Sequence, residues 1–200
     1  MDLCGDEEMA ALLAAIGRGD GEEVAAVDRL LARFPEDARL HFMRGSILAG
    51  RRQALEAHAS LVRAVELAPE FHIARYQLGF FELTSGEVDK ALSSWGPLLR
   101  LPDDAYLRLF VEGLTHLVRD EFEQAAATMR RGIALNRENE PLNNDIRLLI
   151  AECQKAAGHP EAGPPEERGE DSGDSDGKDE AALSATSVIL GQFPRDPSRR

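Results

Sequence analysis

The residues able to do chemistry are few and scattered. The five histidines, His41, His58, His72, His116 and His159, show no metal-ligand spacing, and the two cysteines, Cys4 and Cys153, stand far apart. That pattern predicts reduced thiols and neither a disulfide framework nor a metal site. Gly17-Arg18-Gly19-Asp20-Gly21 follows a helical pattern rather than a strand, so it does not read as a dinucleotide loop. Its Arg18-Gly19-Asp20 is an attachment tripeptide by letters only. Asp174, Asp176 and Gly177 echo a calcium loop, but Ser172 and Leu183 occupy the positions where its acidic ends belong. Ser172 and Ser175 are weak candidates for phosphorylation. There is no Gly-x-Ser-x-Gly elbow and no phosphate-binding glycine loop with lysine. Carboxylates are too plentiful for one pair to be nominated as acid and base. The expectation is a protein without catalysis, metal or cofactor.

What the chain offers instead is a period. Gly45, Gly79 and Gly113 lie 34 residues apart, as do Ala57, Ala91 and Ala125. Leu61, Trp95 and Met129 keep the interval, and so do Leu67, Leu101 and Leu135. Ala64, Leu98 and Gly132 keep it with a change of size. A fixed period of this length marks a repeat architecture. Each unit reads as two amphipathic helices joined by a short turn. The glycine lets the first helix come close to its neighbour, and the alanine does the same in the second. The large residue one helical turn after the alanine fills the space beside it. Gly50 and Ser85-Gly86 break the units internally, and Pro35, Pro69 and Pro102 separate them. The expected helices span 37–49, 53–67, 71–84, 87–100, 105–118 and 121–135. Gly96-Pro97 falls inside the fourth and should kink or shorten it.

Small Gly, small Ala, large apolar and Pro at this period resemble the tetratricopeptide repeat. The middle unit matches best, through Leu78-Gly79, Gly86, Ala91, Trp95 and Leu98. The resemblance covers Asp37 to Leu135 as three units. Arg44 and Glu112 stand where Leu78 stands, and Pro102 comes one residue early. The resemblance implies an all-α fold, a right-handed superhelix (an α-solenoid) of three to four helical hairpins with a C-terminal capping helix.

Around that core the chain divides further. Residues 1–34 read as a helix pair, a degenerate leading repeat. Met9, Leu12, Leu13 and Ile16 form one stripe, and Val24, Val27, Leu30 and Leu31 mark the second helix. Glu23 there falls where Ala57 stands one period later. Residues 35–136 hold the three repeats. Residues 137–157 read as a capping helix opened by Pro141, with Leu142, Ile146, Leu149, Ile150 and Cys153 inward and Asn143, Asp145, Arg147 and Glu152 toward water. Residues 158–180 carry nine acidic and two basic residues, 2 − 9 = −7, and no large apolar one, which predicts a disordered linker. Residues 181–200 form a tail in which Leu183, Val188, Ile189, Leu190 and Phe193 return.

The resemblance also implies a surface. The first helix of each unit lines the inner face of such a stack, which here places Arg39, Phe42, Ser46, Ile73, Tyr76, Phe80, Leu83, Leu107, Phe110, Leu114 and Leu117 along a peptide-binding groove. Phe42, Tyr76 and Phe110 would form an aromatic ladder, with Ser46, Phe80 and Leu114 beside it. Either these residues form an exposed apolar groove or they pack as ordinary core. The Lys, Arg and Asn clamp with which some members hold acidic chaperone tails is missing at these positions. An apolar peptide or amphipathic helix is therefore the expected ligand, and Leu183 to Phe193 of the chain's own tail is one candidate occupant.

Composition agrees with a protein partner. A net charge of −13 and a pI near 4.8 disfavour nucleic acid. The N-terminus, Met1 to Glu8, is acidic, and no apolar run approaches the ~18 residues a membrane span needs. The expected place is the cytoplasm and the expected role a scaffold or adaptor. A dedicated chaperone of a bacterial secretion system, shielding an apolar client segment, is the alternative.

Overall fold

The computed structural model describes residues 3–19 and 21–158. Among the described residues the fold is all helical: α1 (Asp6–Arg18), α2 (Glu23–Leu31), α3 (Ala38–Gly50), α4 (Ala54–Leu67), α5 (His72–Thr84), α6 (Val88–Trp95), α7 (Tyr106–Val118), α8 (Phe122–Leu135) and α9 (Glu140–Gly158). Helices α3 to α5, α7 and α8 match the expected spans to within a residue or two. The fourth expected helix is cut short. Helix α6 ends at Trp95, and a 3₁₀ turn, Leu98–Arg100, follows Pro97. The cause is the one the residue type supplies: proline has no N–H to continue the ladder. The acidic linker and the tail, 159–200, lie outside the described residues, so the expectations placed on them have no structural counterpart.

Two compact units divide between Leu101 and Pro102. In the first, α1 to α3 close a cluster of Cys4, Leu12, Val27 and Leu40, with Met9, Ile16, Leu30, Phe34 and Met43 against it. Leu13, expected on the buried stripe of α1, is exposed instead. Met9, Leu12 and Ile16 meet the cluster, and Leu13 stays outside it. Glu23 is buried with its carboxylate on Arg51, which ties the start of α2 to the end of α3. A carboxylate survives at an alanine position because this arginine reaches it.

Each helix pair is closed by the glycine and its large partner. A Cβ built at Gly45 would lie 2.7 Å from Leu61 Cγ, at Gly79 2.3 Å from Trp95 Nε1, and at Gly113 2.5 Å from Met129 Cγ. All three large residues are fully buried. The repeated glycine is thus a space requirement set by the side chain facing it.

The turns inside the pairs repeat as well. Arg52, Gly86 and Asp120 are 34 residues apart and all have positive φ, at 58°, 81° and 59°. Behind each, the helix ends in the same two bonds. Gln53, Glu87 and Glu121 N–H donate to the carbonyls of Leu48, Glu82 and His116, while Arg52, Gly86 and Asp120 N–H donate to those of Ala49, Leu83 and Leu117. This is a Schellman ending, in which the left-handed residue is best a glycine. Arg52 and Asp120 therefore carry strain that Gly86 does not. Arg52→Gly and Asp120→Gly should each raise stability by about 0.5–1 kcal/mol, and Gly86→Ala should lower it by about 1 kcal/mol. Urea unfolding of the three variants checks this, and a destabilised Asp120→Gly would contradict it.

Candidate protein-binding face

Within the first unit, the first helices of two successive pairs, α3 and α5, carry Arg39, Phe42, Ser46, Ile73, Tyr76, Phe80 and Leu83. The structure sorts these residues by depth. Phe42, Ser46 and Ile73 are half-buried. The Phe42 ring meets Phe71, just ahead of α5, edge to face with centroids 5.3 Å apart. The Ser46 hydroxyl donates back to the Phe42 carbonyl at 3.0 Å, so it offers little to a ligand. Phe42, Phe71 and Ile73 make up the apolar part of this face that solvent reaches.

Tyr76, Phe80 and Leu83 are buried, Tyr76 to 2% exposure. Tyr76 stacks on Phe80 at 6.0 Å and on Trp95 at 6.5 Å, and the Trp95 indole N–H donates to the Tyr76 carbonyl at 3.0 Å. In the second unit Leu107, Phe110, Leu114 and Leu117 are buried too. Phe110 stands over Gly132, where a Cβ would lie 2.6 Å from its ring. It fills the space that Ala64 and Leu98 occupy with their own side chains at the same place in the repeat. The exposed aromatic ladder is thus corrected: Tyr76 and Phe110 are interior residues, and of that column only Phe42 is accessible.

Arg39 is half-exposed and already engaged within the chain. Its guanidinium donates to both Asp37 oxygens, at 3.0 and 2.6 Å, and to the Cys4 carbonyl at 2.7 Å. Asp37 also accepts the Arg39 N–H, capping α3, and the Cys4 N–H. Burial pushes the Asp37 carboxyl up, but Arg39 and the two backbone N–H groups outweigh it and hold it below its usual range. Arg39 is a clasp for the N-terminal segment.

Several polar residues show a structural role that the sequence analysis did not assign to them. Asn143 is buried against Asn136 rather than turned to water. Asn136 Nδ2 donates to Asn143 Oδ1 at 2.9 Å, and Asn143 Nδ2 to the Asn136 carbonyl at 3.0 Å. Glu82 is buried with Oε1 3.1 Å from His58 Nε2. Its place in the period, between Leu48 and His116, was the available signal, because Leu48 there is buried. Arg44, in the leucine column, reaches Asp28 and the buried Ser60, joining α2, α3 and α4. These contacts join neighbouring helices: His58–Glu82 links α4 to α5, and Asn136–Asn143 links the end of α8 to α9. Cys4 and Cys153 are free, buried thiols. Burial raises both, Cys153 to about 11, with Arg130 exerting a smaller downward pull on Cys153.

Paired helices closed by a glycine and a large apolar residue at a 34-residue period define a tetratricopeptide-like helical-repeat fold. No family model matches the chain, and no curated protein matches it. Among solved structures it resembles "MamA RS-1 ArsTM double mutant", with a TM-score of 0.53 at 14% identity, over 76% of this chain and 97% of that one. At that identity the likeness concerns the fold alone. None of the described helices is long and apolar enough to cross a membrane.

Proposed function

We propose that the chain is a non-catalytic protein-interaction module that takes an apolar peptide or amphipathic helix on the face of α3 and the start of α5. The observation behind this reading is the half-exposed Phe42–Phe71 pair, with Ile73 two residues on, in a fold where Tyr76, Phe80 and Phe110 are interior. Aromatic anchors of this kind carry much of the energy of protein recognition. A chain with a net charge of −13 suits a polypeptide ligand better than a nucleic acid.

A synthetic peptide of residues 183–193 is the first probe, followed by helical peptides selected from a display library. Phe42→Glu should weaken binding at least about tenfold, a loss of about 1.4 kcal/mol or more. Leu55→Glu, at a position 85% exposed on α4, should leave it unchanged. Peptides that bind Phe42→Glu as well as the native protein would overturn the choice of face. A secretion-type chaperone would in addition keep an otherwise precipitating client soluble on co-expression, whereas an adaptor would not.

A further inference from the structure

The repeats differ from one another in how they neutralise the outer face of their second helix. In α4, Arg63 pairs with Glu66 one turn on, at 3.3 Å. Two periods later Arg131 stands in the place of Arg63, but Ala134 stands in the place of Glu66. Arg130 replaces Val62, and Arg137 follows just past the helix end. Arg130, Arg131 and Arg137 are all exposed, with no carboxylate partner among the described residues. In a chain with 36 acidic residues, three such arginines within eight positions form a local cationic cluster.

The chain supplies the opposite charge nearby. Helix α9 packs on α8, and the acidic run begins three residues after α9 ends at Gly158. Arg130 lies near enough to the last turns of α9 for its charge to act on Cys153. Eight residues from Gly158 to Glu166 reach about 26 Å at most, roughly the length of α9 itself. We propose that the acidic run Glu161 to Glu180 docks, within the same molecule, on Arg130, Arg131 and Arg137 at the end of α8. The attachment is electrostatic, and tethering gives it a high local concentration.

The test uses NMR of the full chain. Salt is raised from about 0.01 M to about 1 M, across which the Debye length falls from about 30 to about 3 Å. The amide resonances of 161–180 should move with salt in the native chain. In Arg130→Gln/Arg131→Gln/Arg137→Gln that movement should be lost, with the amides of α8 and α9 otherwise in place. Asp171→Asn/Asp174→Asn/Asp176→Asn should diminish the salt response of the amides around Arg130 and Arg131 without touching α8. The same salt response in the native and arginine-free chains, or a response that vanishes on dilution, would overturn the proposal.

Discussion

Trp95→Ala should cost the first unit about 3–5 kcal/mol, the range for deleting a fully buried large side chain. The indole fills the gap opened by Gly79, stacks on Tyr76 and donates to the Tyr76 carbonyl. Against a total stability of about 5–15 kcal/mol for a domain, the loss is large. Urea unfolding of the full chain measures it. The glycine opposite makes the reasoning sharper. Gly79→Ala places a methyl 2.3 Å from Trp95 Nε1, and overpacking of this kind costs about 1–3 kcal/mol. In Gly79→Ala/Trp95→Leu the clash is relieved, so the pair should cost less than the sum of the single changes. Strict additivity would mean that the two residues do not share the space assigned to them.

The second large effect belongs to the other unit. Asn136→Ala should cost about 2–4 kcal/mol, combining a buried acceptor left unpaired with a lost cap. Asn136 Oδ1 accepts from the N–H groups of Glu138 and Asn139, and its amide donates to the Asn139 carbonyl and to Asn143. Asn139 in turn accepts the Leu142 N–H at the start of α9. Alanine at 136 therefore frees the turn and strands Asn143 Oδ1. Hydrogen exchange in α9 should quicken together with the loss of stability. Asn144→Ala, one residue from Asn143 but exposed, should change stability by less than about 0.5 kcal/mol. Equal effects from Asn136 and Asn144 would remove the network as a cause.

These two cases also mark what could be read from residues alone. The Gly79–Trp95 contact was legible because size compensation at a fixed period is a local property: where one helix is pared to glycine, its partner is large. The break at Pro97 was legible for a similar reason, since proline acts on its own helix. Asn143 was not. An amphipathic reading sends every polar residue to water, and only Asn136, seven residues earlier, makes burial affordable by returning its hydrogen bonds. The candidate face was half legible. Its helices were placed, but the depth of each aromatic depends on side chains on other helices. Phe110 sinks because Gly132 has none. Phe42 stays accessible, with Phe71 at its edge. The bonds of Arg39 to Asp37 and the Cys4 carbonyl were not legible, because they belong to a clasp and not to a repeat.

The central claim is that Tyr76, Phe80 and Trp95 of the middle repeat are interior and that recognition falls to the accessible face around Phe42. Trp95 is the chain's single tryptophan, so its fluorescence reports on that interior without labelling. The expected result is blue-shifted emission that iodide does not quench until denaturant unfolds the chain. Red-shifted emission, quenched by iodide in the native protein, would contradict the account.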